Sequence, residues 1–160
     1  MEAWASYAEA VLPRAPWLRL HLVFGSGADA DALPPGLRAH ALITSVEESL
    51  VPGIMRKTVE AFDMALQMDP PCTHVLRTNL SSLWNPGPLL GWVRSQPPEA
   101  HISGYMGDHG GPFVSGAGML ISREVALFTV RHQDRLDATI VDDVALSRLW
   151  IPHFKPKIAK

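Results

Sequence analysis

Apolar residues along this chain switch between helical and alternating spacing, and each switch marks an element. Residues 3–12 carry Trp4, Ala8 and Leu12 at helical intervals and stop against Pro13 and Pro16, which predicts a short amphipathic helix. Leu18, Leu20, Leu22 and Phe24 then alternate with Arg19, His21 and Val23, the period of a strand. A polar loop, ADADALPPG, separates this stretch from AHALITSV, read as a second short strand. From Pro52 the period lengthens again. Ile54, Val59, Phe62, Ala65 and Leu66 share one face of a helix that ends by the DPP at 69–71. THVLRT, 73–78, is too short for a helix and reads as a buried strand. Strand, helix, strand is the grammar of an α/β domain.

The second half is less regular. NPGPLLGWVRSQPP predicts a turn and a short helix over 89–94. The glycine-rich run from His101 to Met119 has no clear period and reads as a segment that bends sharply or lets its backbone approach a ligand. GMLIS, 118–122, predicts a strand, and Ser122 opens a helix through about Arg131. Asp142 and Asp143 precede a final helix, and the lysine-bearing tail is expected to fray. With no internal repeat or composition break, 1–160 reads as one domain.

Composition narrows the partners. Fourteen basic against sixteen acidic side chains give a net charge of -2, with no basic run to neutralise a phosphate backbone, which argues against nucleic acid. Hydrophobic residues make up 47% of the 160, enough for a substantial core. The single cysteine, Cys72, rules out an internal disulfide framework. Glu2 and Glu9 sit where a secretory leader would be basic and then apolar. No apolar run reaches the roughly 18 residues a membrane span requires. The expectation is a soluble, cytoplasmic protein, with homo-oligomer formation left open.

Asp142 and Asp143 are the leading acid–base candidates, although neighbours on a helix point about 100° apart, so one is expected to face a pocket and the other to cap the helix. SGAG, 115–118, offers backbone groups and the Ser115 hydroxyl to a sugar or phosphate, or makes a structural turn; it lacks the G-x-G-x-x-G and phosphate-loop patterns. Arg56 and Lys57 meet a diphosphate or solvate their helix. The polar exit after THVL, comprising Arg77, Thr78, Asn79, Ser81 and Ser82, is rich in hydrogen-bond donors, and Trp84 beside it is a candidate sugar platform. His101, Asp108, His109 and His132 have no metal-ligand spacing, and the serines lack a nucleophile elbow.

Four blocks in order, EESLVPGIMRKTVEAF, THVLRTNLSSLW, GPFVSGAGMLISREV and IVDDVALSRL, resemble nucleotide-sugar glycosyltransferases of the GT-A type. They are most similar to small bacterial and large-virus proteins related to the inverting β-1,3-galactosyltransferase and Fringe group. The resemblance implies a GT-A-like (nucleotide-diphospho-sugar transferase) mixed sheet flanked by helices. It also implies a strand ahead of the 3–12 helix, so the domain is expected to be shortened at its N-terminus. Glu48 and Lys57-Thr58 resemble the acidic and lysine-threonine positions before the metal-binding strand. That strand normally delivers D-x-D; here Arg77-Thr78-Asn79 stands instead, which leaves a divalent metal (Mn²⁺ or Mg²⁺) open as a cofactor and assigns no metal ligand. In this reading Arg77 neutralises donor phosphate, Asn79 and Ser81 add hydrogen bonds, and Ser115 and Gly116 form an acceptor-side loop. The second acid of the pair, Asp143, is the implied base, with Asp142 beside it. The implied partners are a nucleotide-sugar donor and a glycan or other hydroxyl acceptor, the implied reaction an inverting transfer. The alternatives are a noncatalytic nucleotide- or sugar-binding protein and a truncated remnant.

Overall fold

A computed structural model describes residues 1–154 and the backbone of 157–158. Helix α1 (Glu2–Val11) leads into strand β1 (Leu22–Phe24), which pairs in parallel with β2 (Ala41–Ile43) after the short helix α2 (Pro35–Arg38). Helix α3 (Gly53–Leu66) follows, then β3 (His74–Arg77), α4 (Pro86–Arg94), the hairpin β4 (Ile102–Asp108) and β5 (Pro112–Ser122), α5 (Arg123–Arg131), α6 (Asp142–Trp150) and β6 (Lys157–Ile158). The larger sheet has the order β3-β5-β4-β6, antiparallel except for the parallel β4–β6 pair. The protein is thus a small α/β fold with a mixed sheet and flanking helices.

Two expectations change, and one open stretch takes form. Consecutive β2, α3 and β3 do not form one parallel βαβ unit, because β2 belongs to the two-stranded sheet and β3 pairs with β5. The glycine-rich run, which shows no clear period in sequence, is the greater part of a hairpin; its glycines remove the side chains whose alternation would have marked strands, and the ring of Phe113 packs over Gly107. Lys157 and Ile158 pair with Ser103 and Gly104 instead of fraying, while 155–156 and 159–160 lie outside the described residues.

Two apolar clusters hold these elements. Ile102, Val114, Met119 and Ile121 of the hairpin meet Phe62 of α3, Val125 of α5 and Leu146 and Trp150 of α6. Trp150 is fully buried and donates Nε1–H to Thr129 Oγ1 at 2.7 Å, so its one polar atom is satisfied inside the core. The smaller cluster joins Trp4 and Ala8 of α1 to Leu22 of β1 and Leu37 of α2. Hydrogen bonds from α1 also hold the segment after β3: Trp4 Nε1 donates to Leu80 O at 2.7 Å and Tyr7 Oη to Trp84 O at 2.8 Å. Leu146, wholly buried, and Leu80, 61% exposed, separate core from surface. Urea unfolding is expected to show Leu146→Ala costing about 2–5 kcal/mol and Leu80→Ala staying within about 0.5 kcal/mol.

Candidate functional site

The site begins where the β4–β5 ladder breaks. Gly104 pairs with Met119 and Met106 with Val114, so Ser115–Gly118 bulge out opposite Tyr105 alone. Backbone groups that leave a ladder need other partners, and the β3 exit and α6 supply them. Arg77, the last residue of β3, faces Met119 and reaches past it to donate from Nη1 to Gly116 O at 2.5 Å. Thr78 Oγ1 donates to Ala117 O at 2.9 Å and accepts Trp84 Nε1–H at 3.0 Å. Gly116 N donates to Asp143 Oδ2 at 3.1 Å, and Ala117 N to Ser115 Oγ at 3.3 Å. Ser147, one turn beyond Asp143, accepts the Val114 N–H at 2.9 Å. Alanine at 116 would drive its Cβ into Arg77 Nη1, and at 118 into the Trp84 ring.

Arg77 also pairs with Asp142, Nη2 to Oδ2 at 2.5 Å, and donates to Asn79 Oδ1 at 3.2 Å. Both ionic side chains are largely shielded, 15% and 11% exposed. Burial pushes the Asp142 carboxyl above its ordinary range and the neighbouring Asp143 adds to that; the Arg77 guanidinium pulls the other way without cancelling it. Close pairing alone would suggest a depressed value, but removal from water dominates here.

Most of the sequence-derived residues therefore converge. Arg77, Asn79, Gly116, Asp142 and Asp143 form one hydrogen-bonded group, and Thr78, Ala117 and Ser115 form a second that adjoins it through the backbone. The two acids divide their partners: Asp142 pairs with Arg77, and Asp143 binds backbone amides, accepting Val144 N–H at 2.9 Å through Oδ1 while Oδ2 holds the bulge. Ser81 is exposed in the turn closed by Ser82 N and Asn79 O, outside the network. Lys57 is engaged elsewhere, at 2.6 Å from both oxygens of Glu48, which also accepts Gly25 N–H at 2.8 Å beyond β1. That bonding, chiefly from Lys57 and then from Gly25, lowers the Glu48 carboxyl.

A cavity of about 510 Å³ lies between α3 and the end of α5, lined by Val46, Met55 and Leu136 among others, and includes no residue of the network. Among the described residues no three His, Cys, Asp or Glu side chains gather as a metal set. The β3 exit presents a guanidinium and an amide, and Asp142 is already neutralised by Arg77, so the donors at this position do not fit a divalent ion. Sequence reading passed over Ser147, whose i+4 spacing from Asp143 on α6 was the available signal, and over the Gly25–Glu48 contact, which carries no local signature.

Arg77→Gln leaves Asp142 buried beside Asp143 without its counter-charge, a loss on the order of 3 kcal/mol at neutral pH. The folded-state value of Asp142 lies above the unfolded one, so the folded protein holds more protons and stability falls as pH rises between the two. Losing Arg77 raises that value further. Denaturation across pH is expected to show the smallest Arg77→Gln penalty in acid, where Asp142 is protonated, and a growing penalty above the ordinary carboxylate range. Gly116→Ala, which displaces the same guanidinium, is expected to follow the same pH trend.

No known protein-family model matches this chain, and no curated protein matches it.

Proposed function

We propose that the protein is a glycosyltransferase that moves a sugar from a nucleotide-sugar donor to an acceptor hydroxyl with inversion. The observation that carries this reading is the convergence of three segments distant in sequence on one polar group: the β3 exit through Arg77, the β5 bulge through Gly116, and the start of α6 through Asp142 and Asp143. In the blocks that resemble GT-A enzymes these are the donor-side, acceptor-side and acidic positions.

In this mechanism Asp143 is the base. Its carboxylate is oriented by the Gly116 and Val144 amides, and each oxygen keeps a lone pair for an acceptor hydroxyl. It takes the hydroxyl proton as the oxygen bonds to the anomeric carbon and the carbon–oxygen bond to the diphosphate breaks, releasing nucleoside diphosphate with the bonding electrons. Arg77 has N–H groups beyond the three bonds it makes within the protein, and those address the departing phosphate. Asn79 and Ser81 are exposed and supply further polar contacts at the rim. No step is assigned to a metal.

A second reading, donor or sugar binding without transfer, is favoured by the extent to which Asp143 and Arg77 are already bonded within the protein. A thermal-shift series with UDP-, GDP-, dTDP- and CMP-sugars, each with Mn²⁺, Mg²⁺ or EDTA, followed by turnover on the stabilising donor, separates the two. Transfer predicts a saturable shift from one donor class and a turnover loss of about 10²–10⁴-fold in Asp143→Asn, with donor binding kept. A shift without turnover in the parent protein selects the binding reading; no shift from any donor defeats both.

A further inference from the structure

The far side of α6 carries a second concavity, separate from the Arg77 network. It measures about 240 Å³ and is lined by Arg135, Asp137, Ala145, Arg148, Leu149, Pro152 and His153. Two guanidinium groups and an imidazole reach it from three places: Arg135 from the turn after α5, Arg148 from the last turn of α6, and His153 from the segment after α6. Ala145, Leu149 and Pro152 make its apolar wall.

These groups are not consumed by the protein. Arg135 and His153 make no side-chain hydrogen bond among the described residues, and the His153 ring rests against Phe128 with centroids 4.9 Å apart. Arg148 has one acidic neighbour, Asp137, at 3.7 Å, longer than a hydrogen bond. Asp137 Oδ1 is held by Thr139, accepting its backbone N–H at 3.0 Å and its hydroxyl at 2.6 Å, while Oδ2 is the oxygen nearest Arg148. Two guanidinium groups line one small hollow, beside a single carboxylate that Thr139 holds through one oxygen, and two guanidinium forks are suited to the several oxygens of a tetrahedral dianion.

We propose that this hollow is a phosphate-binding site that takes a phosphomonoester, with Arg135 and Arg148 on its oxygens, His153 at the rim and the substituent against Leu149 and Pro152. A soluble organophosphate and a phosphatidic-acid headgroup share that chemistry.

Calorimetric titration of the intact protein with inorganic phosphate and with glycerol phosphate, beside sedimentation with phosphatidylcholine vesicles with and without phosphatidic acid, tests it. Saturable binding is expected, weakened about tenfold by Arg148→Gln and by Arg135→Gln, since each removes charged hydrogen bonds. Asp137→Asn keeps the Thr139 acceptor but removes a competing charge, and is expected to tighten binding several-fold. Arg14→Gln, an equal charge change on an exposed residue elsewhere, is expected to leave it unchanged. Binding of glycerol phosphate identifies a soluble ligand; binding only to phosphatidic-acid vesicles identifies a headgroup, and either supports the site. Binding that survives both Arg135→Gln and Arg148→Gln, including binding at Arg77, overturns the proposal, as does equal weakening by Arg14→Gln or no binding to any probe.

Discussion

The guanidinium of Arg77 is the constraint on which the arrangement of this end of the molecule depends. It is bonded at once to a bulged strand, through Gly116 O, and to a helix, through Asp142, from the end of a third element. A four-residue bulge leaves carbonyls and amides that no neighbouring strand can satisfy, and unpaired backbone groups are costly away from water. Arg77 and Thr78 take two of those carbonyls, and Asp143 takes an amide. The same contacts fix where α6 starts relative to β3, so the geometry of the acidic pair is a consequence of how the bulge is satisfied.

Position on the other side comes from α1. Trp4 and Tyr7 donate to the carbonyls of Leu80 and Trp84, which pins the segment leaving β3 at two points four residues apart. Trp84 in turn bonds Thr78, stacks on Trp92 with centroids 5.8 Å apart, and lies against Gly118. The polar exit is therefore a braced segment with Leu80 and Leu83 exposed along it, although its composition alone suggests a free loop. The first helix, which has no chemistry of its own, is part of the scaffold of the site.

The helices were legible because their apolar faces repeat over two turns or more. Helix α3 buries Met55, Val59, Phe62 and Leu66, including three of the residues whose spacing announced it. Strand β4 was not legible, because Ser103, Gly104 and Gly107 erase the alternation that would reveal it, and its partner is fixed by a register only folding supplies. The site divides in the same way. Arg77, Gly116, Asp142 and Asp143 were each visible as unusual residues in their own segments, but pairing across 65 positions, as between Arg77 and Asp142, leaves no trace in local pattern. Lys57 lies outside this network for the opposite reason. A carboxylate nine positions earlier, Glu48, is available to it at 2.6 Å, and a nearby partner satisfies an ammonium as well as a distant one.

The absence of an acidic motif at the end of β3 follows from the same geometry. A carboxylate at position 77 would leave the Gly116 carbonyl without its donor and Asp142 without its counter-charge, and would add negative charge near an acidic pair. A cation with several N–H groups resolves both problems, and it fits because residue 116 has no side chain: a Cβ there would occupy the place of Nη1. Arg77, Gly116 and Asp142 are thus mutually dependent. Aspartate at 77 would require a different bulge or a metal ion to separate the acceptors, whereas the present trio is self-neutralising at Asp142 and leaves Asp143, beside it, as the carboxylate without an ionic partner among the described residues. The arginine that pairs with Asp142 also sets apart the acid proposed as base.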